Sequence, residues 1–229
     1  MSDEGDVPSG NAPAVSAAVR AQLLATEHWS LLASRSTTQG EVLTRISMFL
    51  TFTSASLLSV ALVGQATRFS DTFVMLALVI LFIDLGIGLL TQIRVMNVGM
   101  EDLMYVVAMN RLRAAYVELD PGLARYFMAA HHDDEAGSNQ TYDFFGDGSR
   151  VGHVAGSSMT FMTTANTALM ALLLGTLAVL LGAPMAVAVV LGAVCGLAFF
   201  VMSAVRGYKR YTAVWQKLTP VSPTPPGEA

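Results

Sequence analysis

Charge is scarce in this chain: 13% of its 229 residues are Asp, Glu, Lys or Arg, while 53% are hydrophobic. With a net charge of −4 at pH 7, it offers no basic patch able to follow a nucleic-acid backbone, and no nucleic-acid partner is expected. Cysteine is scarcer still. The single Cys195 excludes an internal disulfide and a cysteine-based metal site. Catalytic signatures are missing too: there is no G-x-S-x-G, P-loop, H-E-x-x-H or Rossmann fingerprint. No enzyme activity and no cofactor are expected on that basis.

Apolar sequence is what the chain has in abundance. The runs Ile46–Ala66, Phe73–Ile93, Met159–Gly182 and Met185–Val205 each reach about the 20 residues that cross a 30 Å hydrocarbon core as helix. None alternates with period two, as strands of a barrel would. Helices satisfy every backbone group within their own segment, which lipid requires. Short connections at 67–72 and Ala183-Pro184 predict two hairpins, separated by a polar stretch of roughly 65 residues, 94–158, too long for a simple turn. The expected fold is all-α, a four-transmembrane-helix protein of two helical hairpins with a cytoplasmic helical subdomain.

Of the 13 Lys and Arg residues, only Arg68 lies in a hairpin loop. Arg20, Arg35 and Arg45 precede the first span. Arg94, Arg111, Arg113, Arg125 and Arg150 occupy the central stretch, and Arg206, Lys209, Arg210 and Lys217 follow the last span. Cations are retained on the inner side during insertion. Both termini and the centre are therefore expected in the cytoplasm, with the lipid bilayer as first partner. No short apolar core next to a small-residue cleavage site occurs in the first 45 residues, so the first span is expected to act as the targeting signal.

Residues 1–13 and 218–229, rich in Gly, Pro, Ser and acidic side chains, read as disordered tails. A cytoplasmic helix is expected within 14–45, with Leu24, His28, Leu31 and Leu32 on one face. Gly40 is expected to break it, and Thr38-Gln39-Gly40-Glu41 has the form of a capping box that restarts it. Met96, Met100, Leu103 and Val107 carry helical spacing past Arg94, which predicts one helix from Phe73 to about Leu119. Asp120-Pro121 stops it and opens a short helix through Ala129. Residues 130–157 read as loop.

Several stretches, Glu27-His28-Trp29-Ser30-Leu31-Leu32-Ala33, Arg45-Ile46-Ser47-Met48-Phe49-Leu50, Met109-Asn110-Arg111-Leu112-Arg113, Tyr126-Phe127-Met128 and His132-Asp133-Asp134, resemble a family of uncharacterised multi-pass membrane proteins from actinobacteria. The resemblance covers roughly residues 27–134. It implies a bacterial plasma-membrane location and carries no activity or ligand with it.

Asp84 lies about 18 Å into the second span at 1.5 Å per residue. Near the midplane a carboxylate costs about 2.5–3.5 kcal/mol on insertion scales. Ala77, Asp84, Gly88 and Thr91 share a face small and polar enough to pack against protein. Counting equal depths from the loop sets Ser54 opposite Asp84, beside Thr51. One reading is a hydrogen bond from Asp84 to a Ser or Thr that ties the first two spans together; the other is an ion or proton site lined by Asp84 with Thr51 and Ser54 and the neighbouring hydroxyls of Thr53, Ser56 and Ser59. The stripes Ala171, Gly175, Ala178, Gly182 and Ala188, Gly192, Gly196 predict close packing of spans three and four, with a homo-oligomer interface as the alternative. His131, His132 and Asp133 are the weak metal candidates, for adjacent residues project in different directions and seldom share one coordination sphere. Trp29, Met96, Met100 and Met104 are candidates for an interaction surface, the Met stripe also fitting a seam against the Leu24–Leu32 face.

Two functional classes follow. The first is a membrane-anchored interaction or regulatory protein, working through its cytoplasmic helices on a protein partner. The alternative is an oligomeric channel, pore or ion-coupled carrier using Asp84 and the Ser/Thr-rich first span.

Overall fold

Ser16 starts the first helix, its hydroxyl accepting the Val19 amide. The computed structural model describes residues 15–143 and 156–227. Helix α1 then runs unbroken over Ala17–Ala66, 50 residues, or about 75 Å. The break expected at Gly40 does not occur. Glycine inside a helix costs only about 1 kcal/mol against alanine, and the neighbouring side chains outweigh that by reaching across to the next helix. Glu41, instead of closing a capping box, takes Arg45 at 2.9 Å and Arg94 at 2.8 Å.

A four-residue turn follows, with Arg68 and Phe69 in the left-handed region (φ 50° and 56°). The Phe69 N–H donates to the Gly64 carbonyl at 2.9 Å. Helix α2, Asp71–Leu119, ends where Asp120, extended as residues before proline tend to be, accepts the Gly122 amide. The short helix expected through Ala129 is a 3-10 turn, Pro121–Tyr126. The loop expected over 130–157 contains α3, Glu135–Tyr142. The Asp134 carboxylate caps it by accepting the Gly137 N–H at 2.9 Å, and only glycine fits at 137, because a Cβ there would lie 2.2 Å from the His132 carbonyl oxygen. Packing and a cap, not propensity, form this helix. Ser157 caps α4, Ser158–Leu180. Gly182, at φ 86°, and Pro184 lead into α5, Met185–Lys217.

The inward residues of α1 from Ile46 on, namely Ile46, Phe49, Thr53, Ser56 and Val60, alternate steps of three and four. That spacing lets two antiparallel helices interlock along their length. In α2, Leu81, Asp84, Gly88, Thr91, Val95 and Val98 do the same. α2 is the central helix, packed by α1 on one side and α4 on another, while α5 packs mainly on α4. The shared core is Val42, Ile46, Phe49, Leu81, Leu85, Val95, Val98, Met162 and Leu169.

α4 and α5 meet through backbone. A Cβ on Gly192 would sit 2.4 Å from the Ala171 carbonyl oxygen, and one on Gly196 3.1 Å from that of Thr167. The small-residue stripes are thus used within the chain. Phe82, Leu90, Val189 and Leu197 remain exposed on the outer faces. The four helices α1, α2, α4 and α5 are each long and apolar enough to cross a membrane.

Candidate functional site

Polar side chains collect in two places: inside the apolar bundle, and where the long helices leave it. In the bundle Asp84 is fully buried. The Ser56 hydroxyl donates to its Oδ2 at 2.6 Å. Ser54 does not face Asp84, and Thr51 is exposed, bonding back to the Ser47 carbonyl. Equal-depth counting gives height along a helix but not azimuth, and Ser54 stands 100° beyond the seam position Thr53.

One turn inward, Gly88 leaves space for Asn166 of α4, whose Oδ1 would lie 2.0 Å from a Cβ. The Asn166 amide donates to Gln92 Oε1 at 2.7 Å, and Gln92 donates to Thr163 Oγ1 at 3.1 Å. This chain ties α2 to α4. Sequence reasoning confined to ionisable groups missed it, although an amide seven residues inside an apolar run was the available signal. Asp84 Oδ1, Asn166 Oδ1 and Thr53 Oγ1 are buried with no protein hydrogen-bond partner.

At the polar end, α1 and α2 continue side by side. Arg35 grips Asp102 through two bonds, 2.6 and 3.1 Å, and Gln39 and Tyr142 donate to the same carboxylate at 2.7 Å each. Burial would raise the Asp102 carboxyl, but Arg35, Tyr142 and Gln39 outweigh it and hold it below its ordinary value. Burial, then the Asp102 charge, pushes the Tyr142 phenol far up. Burial first, and Arg113 second, lowers the His28 imidazole, whose ring lies 6.4 Å from that of Tyr116. Arg20 meets Glu118 at 2.9 Å near the far end.

Met96 and Met100 are half-buried here and Met104 is 42% exposed, so the stripe is not the seam. Val95, Val98, Leu103, Val106 and Val107 supply the buried face. A strict four-residue spacing drifts about 40° per step on a 3.6-residue helix and winds off the contact line. Of the expected α1 face, Leu24, His28 and Leu31 turn inward with Arg35, whereas Leu32 is exposed. Trp29 is 72% exposed.

The tail beyond α5, expected to be disordered, is docked. Asp133 is fully buried, and its Oδ2 accepts the Val221 N–H at 2.9 Å while its Oδ1 accepts that of Ser222 at 2.8 Å. The Asp133 N–H returns a bond to the Ser222 carbonyl at 3.0 Å. Arg111 pairs with Asp133 and also donates to the Thr219 carbonyl at 3.0 Å. Asp134 accepts both the Thr224 amide and its hydroxyl, at 2.7 Å each.

Burial raises the Asp133 carboxyl, yet the Val221 amide, the Arg111 guanidinium and the Ser222 amide together hold it below 3.8. Asp134 is likewise lowered: the Gly137 and Thr224 donors exceed the burial effect. Bonds to charged groups contribute about 1.5–3 kcal/mol each. Ordering the tail costs about 1–2 kcal/mol per residue, which these bonds offset.

The metal reading of His131, His132 and Asp133 loses its carboxylate to these protein donors. No group of three or more His, Cys, Asp or Glu among the described residues is placed to hold a metal. Arg150 of the central stretch lies outside the described residues, as does the expected tail 1–13. The ring centroids of His131 and His132 lie 4.2 Å apart, the planes tilted by 41°.

Fold and polar sites together define the class: an all-helical protein whose four apolar helices fit a multi-pass membrane protein. Comparison with protein-family models, curated proteins and solved structures finds no match to this chain.

Proposed function

We propose that this is a membrane-anchored interaction or regulatory protein of the bacterial plasma membrane, acting through its cytoplasmic helices. The observation that carries this reading is the build of the polar end. Residues 17–45 of α1 and 94–119 of α2 extend about 40 Å beyond the apolar segments. They are locked by Arg35–Asp102, Arg94–Glu41 and Arg20–Glu118. A rigid, buttressed arm of that length has no role in crossing lipid. It presents Trp29 and Met104 outward, side chains of the kind enriched at protein interfaces. The cation distribution favours an inner position for this arm, both termini and α3.

The test is capture of partners by the full-length protein from its own membranes, compared with Trp29→Ala and Met100→Glu. Loss of co-purifying proteins with unchanged insertion is expected. An unchanged profile in both variants would defeat the reading.

A second reading, an oligomeric pore or carrier, draws on the acceptor oxygens of Asp84, Thr53 and Asn166 buried in the bundle. Under it, liposomes holding the protein pass a cation and Asp84→Asn changes the flux. Absence of flux in every oligomeric state removes it.

A further inference from the structure

The tail Leu218–Thr224 is held almost wholly through main-chain groups. Two successive amides, Val221 and Ser222, enter one buried carboxylate, and a third amide with its own hydroxyl, Thr224, enters the next. Arg111 closes the other end on the Thr219 carbonyl. Pro220, Pro223 and Pro225 fix φ on either side of a bend at Val221 and Ser222, so the chain has less conformational freedom to lose on docking. Such contacts read backbone pattern plus one hydroxyl. Val221 is 74% exposed, so its side chain contributes little.

We infer that Arg111, Asp133 and Asp134 form a peptide-recognition clamp for a bent, proline-spaced Ser/Thr-Pro segment, occupied in cis by the chain's own tail and opened when a partner protein's segment of the same kind displaces it. This rests on the interaction reading above and gives its partner a chemistry: proline-spaced chain bent at two consecutive free N–H groups, then, beyond a proline, a residue carrying N–H and hydroxyl. The geometry also sets what is refused. A phosphoryl group on the Thr224 hydroxyl exchanges a donor for a dianion against Asp134, which repels it.

The probe is a fluorescent synthetic peptide of residues 217–227, titrated onto full-length protein in nanodiscs. Val221→Pro with Ser222→Pro removes two amide donors from the cis tail and leaves the clamp intact. This variant is expected to bind the peptide at least tenfold more tightly than the wild type. Adding Asp134→Ala, or placing phosphothreonine at position 224 of the peptide, is expected to reverse the gain; the modified peptide needs no altered protein, so misfolding cannot mimic its effect. Equal binding by wild type and the double-proline variant overturns the clamp, as does binding indifferent to phosphothreonine. A wild-type dimer dissolved by the double-proline change would mean tails exchanged between copies, and overturns the partner segment as occupant. Peptide capture with unchanged co-purification in Trp29→Ala and Met100→Glu sinks the broader reading alone; the converse sinks only the clamp.

Discussion

Three buried or half-buried aspartates separate the two halves of this molecule. Asp102 and Asp133, at the polar end, each gather an arginine and further donors until their oxygens are occupied. Asp84, in the bundle, has Ser56 alone and leaves Oδ1 without a protein partner. The polar end can place a cation beside each carboxylate because arginine is cheap where its stem reaches water. In the hydrocarbon an added arginine would cost about as much as the aspartate it relieved. The bundle therefore relies on neutral partners and close backbone packing, and the arm on charge-assisted bonds between residues far apart in sequence.

That contrast is broken hardest where backbone meets backbone. Gly192→Leu drives a side chain into the Ala171 carbonyl and is expected to cost about 3 kcal/mol, read as a lowered unfolding midpoint in detergent. Next comes Asp133→Ala, which strands Arg111 and two tail amides. A loss of about 2–3 kcal/mol is expected, confined to the polar end: amide exchange at Val221 and Ser222 should become fast while α4 and α5 keep their protection. If the apolar helices loosened equally, the halves would not be separable.

Acid should act on the same joint. Asp133 and Asp134 are held below their ordinary value of 3.8, so their contribution is complete above that pH and lost as pH falls through the depressed folded values. Exchange of residues 218–227, corrected for intrinsic rate, should stay slow down to about pH 4 and rise below it. Protection that fails already near neutrality would point to another cause. The smallest effect belongs to the bundle's polar chain. Asn166→Leu removes the bond to Gln92 yet is expected to cost only about 0.6–1.7 kcal/mol, since hydrogen bonds between membrane helices are worth no more. A larger loss would show the cluster to be structurally dominant.

Much of the secondary structure was readable one residue at a time. The four apolar runs fall in the four long helices, and α2 ends at Asp120-Pro121 as the proline requires. The face of Ala77, Asp84, Gly88 and Thr91 is buried as its composition suggested. Where reading went astray, long-range contacts had overruled a local preference. Gly40 carries no break because Gln39 and Glu41 are tied to α2. The stretch His131–Tyr142 folds because Asp134 finds Thr224 of the tail and Tyr142 finds Asp102 of α2. Ser56, not Ser54, reaches Asp84, since azimuth is decided by two helices settling together.

Composition and hydropathy alone determined that this chain is helical and suited to lipid, because apolar length and the demand for internally satisfied backbone leave no other structure. Charge placement alone gave an expected orientation. Tertiary structure decided which polar groups meet: Gln92 with Asn166, Arg35 with Asp102, and a proline-spaced tail with Asp133 and Asp134. Those pairings span dozens of residues in sequence, and their energies depend on distance and burial that only the packed helices fix.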